Sequence, residues 1–133
     1  LQKAVRYLLS CQEKDGSWYG RWGVAYVYGT FLALRGLRAS GAPEAKAAME
    51  RAADWLRAVQ NADGGWGESC ASYVHDHFVP APSTASQTAW AVLGLLAAGK
   101  HDTPAFRRGV DYLIANQTEE GTWKRRFGIS KTR

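Results

Sequence analysis

Three stretches of this chain place an acid, a carboxamide and a large aromatic ring close together, the raw material of proton transfer or of cation stabilisation. Gln12-Glu13-Lys14-Asp15-Gly16-Ser17-Trp18 returns as Gln60-Asn61-Ala62-Asp63-Gly64-Gly65-Trp66, and again as Gln117-Thr118-Glu119-Glu120-Gly121-Thr122-Trp123. Each copy puts an acid three residues after the glutamine, a glycine four after and a tryptophan six after. Repetition decides against a catalytic role, because a residue that recurs in every unit cannot mark one unique site. Asp15, Asp63 and Glu120 therefore read as turn acids. Gln12, Gln60 and Gln117 can satisfy orphan backbone groups at a helix end, and Trp18, Trp66 and Trp123 can stack over that amide and bury a large area at the turn.

Other reactive side chains carry weaker signals. Cys70, His75, Asp76 and His77 lie close enough to raise zinc, but Cys-x4-His-x-His in a loop lacks a defined ligand spacing, so a solvent-facing loop is the preferred reading and no metal is expected. Glu68 and Asp76 read as solvated loop acids. Cys11 and Cys70 sit in different repeats with nothing to favour a disulfide, and are expected as free thiols. The chain has no Gly-x-Ser-x-Gly elbow, P-loop or Gly-x-Gly-x-x-Gly.

The elements that must hold these residues are helices. Residues 1–11 carry Leu1, Val5, Leu8 and Leu9 at helical spacing, and Asp15-Gly16 ends that helix. Tyr19 to Gly23 makes an aromatic loop before a second helix over about 25–39, closed by Ser40-Gly41-Ala42-Pro43. A third helix is expected over about 44–59, with Ala45, Ala48, Ala52, Trp55, Leu56 and Val59 on one face. A long loop then covers about 61–83. Ser83 is the expected N-cap of a helix reaching about Ala98, and Pro104 opens the last helix, which carries Phe106, Val110, Leu113 and Ile114. The second helices of the first two units also align, Thr30–Leu37 over Thr88–Leu95. The unit is helix, turn, loop, helix with a period of 48 to 58 residues, and no sustained alternation predicts a sheet. The fold class expected is all-α, an α/α repeat in the form of a partial toroid or barrel. Its repeats span about 1–40, 44–99 and 103–123, and the third lacks its second helix, so one end should be open and apolar.

Composition excludes several functions. The 133 residues make one domain's length, with 46% hydrophobic and 22% charged residues. The net charge of +5 comes from Lys124, Arg125, Arg126, Lys131 and Arg133, leaving 12 basic and 12 acidic residues in positions 1–123. A neutral body with a basic tail over 124–133, expected to be solvated and disordered, lacks the basic stripe of a nucleic-acid face. No apolar run approaches the roughly 20 residues of a spanning helix. The chain opens without methionine inside an apolar periodic run, as a piece of a longer protein would.

Gln-x-x-Asp-Gly-x-Trp at this spacing resembles the repeated "QW motif" of triterpene cyclases. Asp15-Gly-Ser-Trp-Tyr-Gly-Arg-Trp-Gly-Val-Ala-Tyr-Val-Tyr-Gly-Thr30 is similar to squalene–hopene cyclases in particular, as are Asp63–Tyr73 and Ser83–Ala91. That resemblance implies an α/α-barrel enzyme that folds a linear C30 polyene and closes its rings through carbocations stabilised by aromatic faces, without a cofactor. It also implies peripheral, monotopic attachment to the cytoplasmic side of a membrane, squalene as substrate, and the rest of a cyclase chain as partner. Trp22 matches a tryptophan lining the cyclisation cavity. Tyr28 matches a tyrosine beside the catalytic acid. Six residues on one helix span about 240° of rotation, so the two can meet one cavity only if Trp22 precedes the helix. Without the resemblance, both read as core.

Two departures qualify the match. The Asp-x-Asp-Asp acid of the family is absent from these 133 residues, so a cyclase fragment inactive alone is expected. The resemblance also stops after Trp123. Alternatives are a zinc enzyme similar to protein prenyltransferase β-subunits, or a non-catalytic αα-repeat scaffold that binds through its open edge.

Overall fold

A computed structural model describes residues 1–124. Among the described residues the helices run in the order α1 (Gln2–Ser10), α2 (Ala25–Ser40), α3 (Lys46–Ala58), the one-turn α4 (Ser72–His75), α5 (Ala85–Ala97) and α6 (Pro104–Ala115), and the five long ones form two layers. A single 3-10 turn, Pro43–Ala45, leads into α3. The long helices start and stop within about two residues of the sequence boundaries, because their ends are set by local signals. Gly41 takes the left-handed conformation that ends α2. Thr103 caps α6 through its side chain, ahead of Pro104 in the first turn. The expected cap of α5 was one residue off: Thr84 accepts from the Gln87 amide, while Ser83 bonds Asp63 and Asn61 instead.

The layers follow from how the apolar residues are distributed. The helices α1, α3 and α6 are amphipathic and form the outer row. The helices α2 and α5 are apolar nearly all round, and they pack on each other and on the outer helices. They carry much of the core, including Val27, Leu34 and Leu37 of α2 and Ala91 and Leu95 of α5, each almost fully buried. A helix apolar on every side is one that a larger assembly covers on every side. Here Leu32, Leu93 and Leu96 stand exposed on the inner row.

One expectation fails. The loop after the second phrase contains a two-stranded antiparallel sheet, β1 (Trp66–Glu68) with β2 (Pro80–Thr84), pairing Trp66 with Thr84 and Glu68 with Pro80 around a bulge. Three residues are too few to show a period of two, and two prolines in β2 read as loop. The hairpin between the strands folds back over the first unit.

The repeated phrase works as a staple. Gln12 Nε2 donates to the Gly16 and Ala48 carbonyls, both at 2.9 Å, and Gln60 Nε2 donates to Gly64 and Ala105 at the same distances. The indoles of Trp18, Trp66 and Trp123 each donate to the carbonyl ten residues back, on Leu8, Leu56 and Leu113, closing the last turn of the outer helix. The Trp18 and Trp66 amides donate to Thr30 and Thr88 on the inner helices, which explains the threonine shared by the two units. Asp15 and Asp63 accept from backbone two residues on, as turn acids do. Of the basic tail, only Lys124 falls within the described residues.

Candidate functional site

The inner row presents its aromatic residues where α2 begins. Tyr28 is half-buried, its ring 4.9 Å from that of Trp90 on α5 and 6.4 Å from that of Phe31. Gly23 also lies against the Tyr28 ring, so close that a Cβ there would stand 3.0 Å from Cγ. Only glycine, at φ 82°, lets the loop fold across the tyrosine. Trp22 precedes α2 in that loop, as the rotation argument required, and its indole is 76% exposed. The structure thus brings Tyr28, Trp90 and the Gly23 backbone together and leaves Trp22 projecting from the rim. Without a partner surface neither aromatic is core.

What holds this loop comes from the second unit. Glu68 is 5% exposed, not the solvated acid the sequence suggested. Its carboxylate accepts from the Tyr26 amide at 3.0 Å and the Val27 amide at 2.9 Å, capping α2, whose own N-cap residue Val24 supplies no side-chain bond. A carboxylate at this end also complements the helix dipole. Burial pushes the Glu68 carboxyl above the usual range, while hydrogen bonds from Val27, Ser72 and Tyr26 pull it back. Gln87 on α5 positions that strand: its Oε1 accepts from the Glu68 amide and its Nε2 donates to the Glu68 carbonyl, both at 3.1 Å. The carboxamide pairs with the strand as a peptide group would.

Tyr73, on α4, completes the clamp. Its hydroxyl accepts from the Val24 amide at 3.1 Å and the Ala25 amide at 3.3 Å, and donates to the Arg21 carbonyl at 3.0 Å. Val24 sits at φ 65°, a strained position for a β-branched residue. The Tyr73 ring meets Tyr19 edge-on at 6.1 Å, and Tyr19 meets Tyr26 at 5.7 Å. Tyr73→Phe keeps these rings but strips the three backbone groups of their partner. It is expected to lower stability by about 1–2 kcal/mol and to speed hydrogen exchange at Val24 and Ala25. Unchanged exchange at those two amides would show that the hydroxyl does not hold the loop.

Sequence reasoning missed Glu68, Gln87, Tyr73 and Trp90. The one available signal was the second unit's longer loop, which had to cover something. The proposed zinc residues do not converge: among the described residues no three His, Cys, Asp or Glu side chains group as a metal site would require. His75 and His77 face each other with ring centroids 5.8 Å apart, Asp76 takes a left-handed turn position, and Cys70 is exposed. Cys11 is likewise free and exposed.

Known proteins share this sequence pattern and fold. Residues 1–130 match the family model of the squalene–hopene cyclase C-terminal domain. The squalene–hopene cyclase of Zymomonas mobilis is 52% identical over 126 residues, covering 93% of this chain and 19% of that protein. That of Bradyrhizobium diazoefficiens is 53% identical, covering 90% and 18%. The chain belongs to the squalene–hopene cyclase family. Among solved structures, ent-copalyl diphosphate synthase from Streptomyces platensis superposes with a TM-score of 0.70 at 30% identity, over 90% of this chain and 22% of that one. A type II terpene cyclase from Scytonema gives the same TM-score at 19% identity, which speaks for the fold alone. The chain spans about a fifth of the length of the curated relatives it matches. The family match runs to residue 130, past Trp123, where the sequence reading had ended it.

Proposed function

We propose that this chain supplies one aromatic wall of a squalene–hopene-type cyclisation cavity, in an enzyme that closes a linear C30 polyene through carbocations. The observation that carries this is the Tyr28–Trp90 ring pair at 4.9 Å, set on the apolar inner row beside the Trp22 loop. Aromatic faces attract a cation most strongly where water is excluded, at about 2 kcal/mol or more. Trp22 is the residue assigned to line the cavity over the substrate. Tyr28 is assigned to the neighbourhood of the acid that starts the reaction, an Asp-x-Asp-Asp that these 133 residues do not contain. Glu68, Gln87 and Tyr73 are positioning residues, acting through the loop they hold.

The test is a chimera in which this chain replaces the matching segment of the Zymomonas mobilis relative. The chimera is expected to cyclise squalene, and Trp22→Ala or Tyr28→Ala within it to cut kcat by about tenfold to a hundredfold. A folded chimera indifferent to both substitutions would overturn the assignment. Squalene given to the 133-residue chain alone should remain unchanged, and cyclised product there would overturn the need for the missing acid.

Peripheral attachment to the cytoplasmic face of a membrane belongs to the same proposal. Its support is the acid-free basic stretch over residues 124–133, since each basic residue near an anionic surface adds about 1 kcal/mol. Among the described residues no helix is long and apolar enough to cross a membrane. Co-sedimentation with anionic liposomes should weaken when that stretch is removed, and unchanged co-sedimentation would count against it.

A further inference from the structure

The far end of α2 borders a cavity that the aromatic site does not use. It lies about 15 Å along the helix from Tyr28, at about 1.5 Å of rise per residue. Its volume is about 380 Å³, within the range of small-ligand sites. The buried Leu37 of α2, the half-buried Met49 of α3 and the half-buried Ala98 at the end of α5 give it an apolar lining. The turn between α2 and α3 leaves the space free. Gly41 ends α2 at φ 63°, and a Cβ built there would meet nothing within 4 Å.

Three charged side chains border this cavity: Arg38 in the last turn of α2, Lys46 in the first turn of α3, and Glu50 one turn further on. Glu50 is already answered by Lys100, whose ammonium lies 2.8 Å from its carboxylate. Arg38 and Lys46 are exposed, and among the described residues neither has an ion pair. Arg38 complements the negative end of its helix dipole, so its charge has a structural reason. Lys46 has none of that kind, because the dipole disfavours a cation in a first turn. Solvated cations are ordinary on a protein surface; the informative point is that two unpaired ones border the same apolar cavity.

We propose that this cavity binds a small amphiphilic anion, a short hydrocarbon chain ending in a phosphate. The chain lies against Leu37, Met49 and Ala98, out of water, and the phosphate accepts charge-assisted hydrogen bonds from the Arg38 guanidinium and the Lys46 ammonium. One dianion then answers both free cations and leaves the Glu50–Lys100 pair intact. An inorganic anion would leave the apolar lining wet, and an uncharged chain would leave both cations unpaired. A lipid phosphate held in a bilayer offers the same charge with its chains turned away from the cavity, so the ligand enters as a single molecule.

The test titrates monomeric decyl phosphate into the intact chain and follows backbone amide shifts by nuclear magnetic resonance. Saturable shifts are expected at Gly41, Ala42 and Lys46. Arg38→Ala and Lys46→Ala should each weaken binding by about fivefold to tenfold. Both side chains are exposed and unpaired, so these variants keep their fold, which circular dichroism verifies. Glu50→Gln removes the one negative charge at the cavity and should instead tighten binding by about threefold. Absence of saturable shifts at those amides, or binding indifferent to all three substitutions, overturns the proposal. Decanol binding as tightly as decyl phosphate would overturn the role of the cations, and inorganic phosphate doing so would overturn that of the apolar lining. Shifts produced only by vesicles of anionic lipid would overturn it too, by making the occupant a membrane surface.

Discussion

Trp66→Ala should lower the unfolding free energy of this chain by about 3–5 kcal/mol, the range for emptying a fully buried aromatic site. The Trp66 side chain is wholly buried where α3, α5 and α6 meet. Its indole donates to the Leu56 carbonyl at 2.8 Å, and its six-membered ring lies so near Gly109 that a Cβ there would come within 2.8 Å of Cζ3. Truncation leaves a cavity, an orphan carbonyl and no neighbour free to collapse inward, since α3 stays held by Gln12 and α6 by Gln60. Trp123→Ala in the third copy should cost about 1 kcal/mol, because that ring is already 40% exposed and covers only one helix. Urea unfolding followed by far-ultraviolet circular dichroism measures both. Equal losses at the two positions would mean that the phrase acts locally, and that stacking of units adds nothing. For a domain with about 5–15 kcal/mol in total, the larger loss brings the chain near unfolding.

Removing the Glu68 carboxylate should cost about 2–3 kcal/mol and loosen the start of α2. Glu68→Ala leaves the Tyr26 and Val27 amides buried without an acceptor and removes a charge from the positive end of a helix. The Trp22 loop and Tyr28 lie on either side of that helix start, so in the chimera the same substitution should also lower kcat. Glu68→Gln keeps one acceptor oxygen but turns an amide group toward amide donors, and should fall between wild type and alanine.

The pH dependence has a definite sign. Burial raises the folded carboxyl above its unfolded value, so the folded state binds the extra proton more readily. The contribution of this group is therefore fully present below the unfolded carboxyl range and is lost as pH rises through the raised one. Wild type should gain stability relative to Glu68→Gln as pH falls from about 7 to about 4. A difference that shrinks over that interval would show that the hydrogen bonds, not burial, dominate the carboxyl.

Much of the framework was legible because it is local. A glycine after a polar turn, a proline in a first turn and apolar residues every three or four positions act within a few residues, and they placed the long helices to within about two residues. The repeated glutamine and tryptophan marked the staples and the αα unit. Trp22 was placed before α2 by the aromatic, glycine-bearing run from Tyr19 to Gly23, and helical rotation required that place for it to share a cavity with Tyr28. The sheet was not legible, since β1 has three residues and its partner strand begins only at Pro80, well beyond the reach of a local pattern. Glu68 itself was misread for the same reason: its sequence neighbours look like loop, and only the fold places it under the first unit.

The sequence by itself thus determined the repeat, the helices, the staples and the family, because each is written in spacings shorter than one unit. Tertiary structure alone decided that the second unit's hairpin clamps the first unit's aromatic loop and that Trp90 meets Tyr28. Those facts depend on contacts across about 40 to 60 residues, where closure of the chain brings groups together that no local pattern connects.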